Sequence, residues 1–130
     1  RDDNIAVVLT GGEPLLQVND ELVAALKQEQ IYIAVETNGT LDAPDHIDWI
    51  CMSPKANTEI KLKKGHEIKV IFPQESLDPE KFLLFDFSEF YLQPMDSNKY
   101  QENLNATITY CQKNPKWKLS LQTHKILGIR

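Results

Sequence analysis

Cysteine, glycine, basic charge and long apolar runs are all scarce in this 130-residue chain, and each shortage removes a class of protein. Two cysteines, Cys51 and Cys111, are too few and too far apart for a disulfide framework or a self-contained zinc or iron–sulfur site. Each sits among apolar neighbours, which predicts a buried, reduced thiol. Five glycines and seven prolines, with 42% hydrophobic and 25% charged residues, exclude collagen, disorder and coiled coil. No apolar run approaches the roughly 20 residues that a membrane helix needs, and the amino end has no signal-peptide core. These absences predict a soluble, cytoplasmic protein. With Lys and Arg totalling 14 against 19 Asp and Glu, the net charge is -5, which disfavours nucleic acid or an anionic membrane as the main partner. The one basic run, Lys61-Leu62-Lys63-Lys64, reads as a solvated face. Motifs are missing too: no phosphate loop, no three-glycine dinucleotide turn, no Ser-His-Asp or Cys-His grouping and no metal-ligand spacing.

What the chain does contain is a regular alternation. Apolar, β-branched runs span Ile5 to Leu9, Ile31 to Val35, Ile47 to Met52, Ile68 to Phe72, Phe90 to Leu92 and Trp117 to Leu121. Apolar and polar residues alternate only weakly in most of them, which predicts strands buried on both faces, as in a parallel sheet. Between them, Asn19 or Asp20 caps a helix with Leu22, Val23 and Leu26 on one face. Tyr100, Leu104, Ile108 and Cys111 mark a second helix at spacings of four, four and three. Residues 57–64 read as a short helix or a loop, and 79–85 as a helix beginning at Pro79 with Asp78 as its cap. No repeat or linker divides the chain, so residues 1–130 form one domain. Alternating strands and helices imply a parallel sheet with right-handed crossovers, open or curled into a barrel, with ligands at the carboxyl ends of the strands.

The residues at those ends are the candidates for function. They are Thr10-Gly11-Gly12-Glu13-Pro14, Glu36-Thr37-Asn38-Gly39-Thr40, Ser53-Pro54-Lys55, Pro73-Gln74, Gln93-Pro94-Met95-Asp96 and Gln122-Thr123-His124-Lys125. If the strands are parallel neighbours, all six endings meet on one rim. The Gly-Gly pair lets a ligand lie against backbone amides, and Glu13 beside it is an acceptor for an ammonium group. Glu36 and Asn38 are hydrogen-bonding candidates for a ribose or an amino acid, and Lys55 for a carboxylate. His124 is a candidate by its place on the rim; His46 and His66 read as ordinary residues.

The order of these motifs resembles one family. Val8-Leu9-Thr10-Gly11-Gly12-Glu13-Pro14-Leu15 is similar to the Gly-Gly-Glu-Pro strand end of radical S-adenosylmethionine enzymes. Glu36-Thr37-Asn38-Gly39-Thr40, Ser53-Pro54-Lys55, Gln93-Pro94-Met95 and Leu119-Ser120-Leu121-Gln122-Thr123-His124-Lys125 follow in the order of the 7-carboxy-7-deazaguanine synthases of the queuosine pathway. The resemblance implies a partial (β/α)6-type parallel barrel and a radical ring contraction of 6-carboxy-5,6,7,8-tetrahydropterin. It implies three cofactors: S-adenosylmethionine, a [4Fe-4S] cluster and magnesium. It also implies an electron donor such as flavodoxin or ferredoxin; a homodimer is expected because a missing first strand leaves a sheet edge uncovered. By the same resemblance, Gly12, Glu13, Ser53, Pro54, Lys55, Gln93, Pro94, Met95 and Asp96 contact S-adenosylmethionine, with Glu36 and Asn38 as weaker cofactor candidates. Thr10, His124 and Arg130 face substrate. It assigns no catalytic side chain and no metal ligand within this sequence.

The chain departs from the family at its start. Arg1-Asp2-Asp3-Asn4 leads directly into the first strand with no initiator Met, whereas the family binds its cluster through three cysteines in a loop before the Gly-Gly-Glu strand. The expectation is therefore the carboxyl-terminal part of a larger barrel, without its amino-terminal strand, cluster loop or magnesium ligand, and inactive alone. Two other readings stay open at this point: another radical enzyme, such as an activase for a glycyl-radical protein, and a non-catalytic α/β binding module.

Overall fold

The computed structural model describes residues 4–129. Its frame is a six-stranded, all-parallel, open sheet. The strands are β1 (Ala6–Leu9), β2 (Tyr32–Thr37), β3 (Trp49–Met52), β4 (Glu67–Phe72), β5 (Glu89–Pro94) and β6 (Trp117–Leu119). Their order across the sheet is their order in the chain. The helices are α1 (Asp20–Gln28), α2 (Tyr100–Lys113) and a short α3 (Thr123–Ile126). Among the described residues no helix is long and apolar enough to cross a membrane.

Local chemistry explains the helix ends. Asn19 Oδ1 accepts the Leu22 N–H at 2.9 Å, Asp20 and Glu21 occupy the first turn of α1 and Lys27 its last. This capping and charge order favours a helix at that place. Of the three apolar residues expected on one face of α1, Val23 is buried and Leu26 half-buried, whereas Leu22 is exposed. The segment after Asp78 is a 3-10 helix, Pro79–Leu84, and Asp78 accepts the Glu80 N–H at 3.0 Å. Residues 57–64 form a loop, in which Lys64 makes an isolated parallel bridge to Asp86 and Leu62 turns inward with 3% exposure. The basic run is thus a solvated face interrupted by one core residue.

One expectation is corrected. Not all strands are buried on both faces: β2 and β4 alternate between buried and accessible residues, whereas Ile50, Cys51 and Met52 of β3 are all buried. Ile33, Val35, Ile50, Met52, Ile68, Val70, Leu92 and Trp117 join one core cluster with Leu15, Val18, Val23, Leu62, Leu77, Phe82 and Phe87. The opposite face is polar. In register across it run Glu36, Cys51, Glu67 and Glu89, and a row further on, Lys69, Tyr91 and Lys118. A parallel sheet normally hides both faces under helices. Here α1 packs against β2 and α2 against β5 and β6, while the polar face carries charges that need water or a polar ligand. Tyr32, Ala34 and Ile71 blur the period in the sequence, because they are apolar residues on that second face.

Candidate functional site

Parallel strands bring the endings of β1, β2 and β3 to one edge. There Thr10, Gly11, Gly12, Glu36, Thr37, Asn38, Cys51, Ser53, Lys55 and Lys69 line a cavity of about 340 Å³. Gly11 has φ of +86°, a left-handed conformation that suits glycine. Gly12 does not, but a Cβ built on either residue meets nothing within 4 Å. The turn therefore offers bare backbone to an open space.

Behind the turn, Glu13 ties two strand ends together. Its Oε1 accepts the Leu15 N–H at 3.0 Å and the Thr37 hydroxyl at 2.7 Å, and its Oε2 accepts the Asn38 N–H at 2.8 Å. The Thr37 hydroxyl in turn accepts the Gly39 N–H at 3.1 Å. Asn38 Oδ1 accepts both the N–H and the hydroxyl of Thr40, at 2.9 and 2.7 Å, which fixes the turn after β2. The Ser53 N–H donates to the Thr37 carbonyl at 2.8 Å, so the third ending is tied to the second. Pro54 is fully buried and Lys55 exposed, an anchor followed by a free cation at the cavity wall.

Cys51, 6% exposed, sits on the cavity side of β3. Burial pushes its thiol up to about 12, with the Glu67 and Glu36 carboxylates adding to the effect, so it is held as S–H. Burial also raises Cys111, which is half-buried on α2. His66 is structural: its Nδ1 accepts the Ile50 N–H at 2.9 Å and its ring stacks on Trp49. Larger hollows lie elsewhere: one of about 530 Å³ at the start of β1 and β2, and two, about 520 and 750 Å³, that share Asp45, His46 and Ile47. Both lie at the amino-terminal edge of the sheet, opposite the one where parallel strands present ligands.

Comparison with known proteins places this arrangement. No family-wide sequence description matches the chain. Individual curated proteins do. The chain is 54% identical over 129 residues to the 7-carboxy-7-deazaguanine synthase of Bradyrhizobium diazoefficiens, covering 99% of this chain and 61% of that protein. It is 50% identical over 127 residues to the synthase of Caulobacter vibrioides, covering 98% and 60%, and 39% identical over 126 residues to that of Bacteroides thetaiotaomicron, covering 97% and 66%. The chain is homologous to the 7-carboxy-7-deazaguanine synthases. It spans about 60% of the length of the first two of these synthases.

Of the residues that the sequence nominates in this synthase homologue, the structure brings Thr10, Gly12, Ser53 and Lys55 to one cavity, together with Glu36 and Asn38. Glu13 stands directly behind it. Gln93, Pro94, Met95 and Asp96 lie at the end of β5 and do not line this cavity. The Met95 N–H donates to the Phe72 carbonyl at 2.8 Å, Asn103 Nδ2 donates to the Met95 carbonyl at 3.0 Å, and Asp96 pairs with Lys125. His124 is exposed on α3, and Arg130 lies outside the described residues. Sequence reasoning missed Lys69, which alternation with Glu67 on β4 reveals, and gave Thr37 no role of its own beyond its place between Glu36 and Asn38.

Proposed function

We propose that the protein carrying this sequence is a 7-carboxy-7-deazaguanine synthase. It converts 6-carboxy-5,6,7,8-tetrahydropterin into 7-carboxy-7-deazaguanine, for queuosine or another 7-deazapurine, by a radical ring contraction. One observation carries this reading: in a chain homologous to such synthases, the bare Gly11–Gly12 turn opens onto a cavity shared by three strand ends.

The radical chemistry is that of S-adenosylmethionine with an iron–sulfur cluster when both are bound. The residues present suit the first of these. Gly12 presents backbone where a side chain would fill the cradle, and Ser53 and Lys55 offer a hydroxyl and an ammonium group to a carboxylate. Pro54, buried, fixes the turn that carries them. By the same reading Gln93, Pro94, Met95 and Asp96 are further cofactor contacts, and Thr10, His124 and Arg130 are the substrate contacts. Their work is orientation: rigid strand ends hold the substrate hydrogen at a fixed place and limit side reactions. The protonated Cys51 is neutral and adds no competing nucleophile.

The described residues do not fit a cluster. Cys51 on β3 and Cys111 on α2 sit on separate elements, and no three His, Cys, Asp or Glu among the described residues group as metal ligands. Neither a cluster nor a magnesium site is built from them. The 130 residues alone are expected to bind no cluster and turn over no pterin, since two cysteines cannot supply a set of three. The synthase reading also carries a reductant, flavodoxin or ferredoxin, and a cytoplasmic homodimer. In the 130-residue chain β1 is an edge strand, which supports pairing between copies of that chain.

A protein of the relatives' full length that contains this sequence, reconstituted anaerobically and reduced, tests the proposal. It is expected to form 7-carboxy-7-deazaguanine from the pterin, detected by mass spectrometry. S-adenosylmethionine cleavage without that product favours a glycyl-radical activase, and no cleavage favours a binding module. A stoichiometric iron–sulfur absorption band on the 130-residue chain refutes its predicted inactivity, and a clean monomer by light scattering refutes the dimer.

A further inference from the structure

We infer that Glu13 is a positioning residue: with Thr37 it forms a strap that holds the Gly11–Gly12 turn in place, and its carboxylate is not the direct ligand of the cofactor's ammonium group. The inference rests on the synthase reading above and deepens it. Two sets of observations carry it.

The first is occupancy, with only one acceptor position left open. A carboxylate offers about four acceptor positions, and three on Glu13 are filled by Leu15, Thr37 and Asn38 at 2.7 to 3.0 Å. The second is direction. Glu13 caps the short 3-10 helix Pro14–Leu16, pointing along its own turn and toward β2, and it is not among the residues lining the cavity, whereas Gly11 and Gly12 are. Thr37 is 3% exposed, and its hydroxyl is engaged both as donor to Glu13 and as acceptor from Gly39. The one proton of that hydroxyl is committed to Glu13, so it cannot donate to a ligand. Its removal strands a Glu13 lone pair and the Gly39 N–H together, in a region that water reaches poorly. The turn after β1 is then held to β2 only by the Asn38 amide. An ammonium group then finds its acceptors on the cavity wall, in the exposed Glu36 carboxylate and the carbonyls of the Gly11–Gly12 turn, and the turn's carbonyls are useful only while the strap fixes their direction.

Four variants test this in the full-length, anaerobically reconstituted protein: Glu13→Gln, Thr37→Val, Thr37→Ser and the double Glu13→Gln/Thr37→Val. The readouts are the Kd for S-adenosylmethionine by equilibrium dialysis and the urea midpoint. Thr37→Val is expected to weaken binding about tenfold, the scale of one lost buried hydrogen bond. Thr37→Ser, which keeps the hydroxyl, should stay within about twofold of wild type, and the double variant should bind no worse than Glu13→Gln alone. The inference is overturned if Glu13→Gln weakens binding while Thr37→Val does not, the signature of a direct ligand. It is also overturned if Thr37→Val lowers the urea midpoint and leaves Kd unchanged, the signature of a purely structural role. A wild-type protein that does not bind S-adenosylmethionine overturns the synthase reading itself. In that case the midpoints still judge the strap: additive effects of Glu13→Gln and Thr37→Val in the double variant refute it.

Discussion

Replacing Gly39 by Ala separates two costs that a sequence reader sees as one. Gly39 has φ of +79°, its carbonyl accepts the Lys61 and Leu62 N–H groups at 2.9 and 3.1 Å, and it is buried. A left-handed backbone strains an Ala by about 1–2 kcal/mol. The new Cβ also lands 2.3 Å from Met52 Sδ and 2.9 Å from its Cγ, with Ile60 Cγ2 at 3.4 Å. Met52 is fully buried, so it yields only by displacing the core around it. Overpacking of that kind costs about 1–3 kcal/mol. The two effects together amount to roughly 2–5 kcal/mol, against a total stability of about 5–15 kcal/mol for a domain. Urea unfolding followed by circular dichroism and by Trp49 and Trp117 fluorescence measures it, with an unchanged slope and a lower midpoint. Gly11→Ala is the control, since it shares the positive φ but has nothing within 4 Å of its Cβ. It should lose about 1 kcal/mol, the strain alone. A Gly39→Ala loss no larger than that of Gly11→Ala refutes the packing argument, and a loss below about 1 kcal/mol refutes both.

Gly12→Ala should leave the unfolding midpoint within about 0.5 kcal/mol of wild type. In the full-length protein it should weaken S-adenosylmethionine binding about tenfold or more, as the methyl fills the cradle; unchanged affinity removes Gly12 from the site. Cys51 should resist a thiol reagent at pH 8 in the folded chain and react in denaturant, because only about one thiol in ten thousand is thiolate there. Rapid stoichiometric labelling of Cys51 refutes the raised value. Asp48 accepts the Lys27 ammonium and, at 2.7 Å, the Ile33 N–H, which hold its carboxyl below the usual range. A lowered folded-state value contributes stability above the ordinary carboxylate range, and that contribution is lost as pH falls through the lowered value. Asp48→Asn should therefore cost about 1 kcal/mol at pH 7, and its gap to wild type should close on acidification; a gap independent of pH contradicts the pairing.

Much of this architecture was legible because its signals are local. The Asn19 cap, the spacing of Tyr100, Leu104, Ile108 and Cys111, and the polar endings of six apolar runs each follow from short-range chemistry, and the parallel sheet follows from their alternation. The polar second face was not, since Tyr32, Ala34 and Ile71 interrupt the period and make half-buried strands look wholly apolar. Residues 57–64 were ambiguous because their loop is fixed from outside, by Gly39 and Asp86. At the site, Gly12, Ser53 and Lys55 could be named from their motifs. The part played by Thr37 could not, because it consists of hydrogen bonds to Glu13 and Gly39, and partners 24 residues apart leave no trace in a linear pattern.

The strand order β1 to β6 has a bearing on how the molecule forms. Each strand needs only the one made just before it, and paired strands are roughly 15 to 27 residues apart in the chain, short closures for a parallel sheet. The sheet can therefore grow from one moving edge as the ribosome delivers it, each crossover adding a strand beside the last. On that route the cavity walls from β1, β2 and β3 are assembled before α2 has been synthesised.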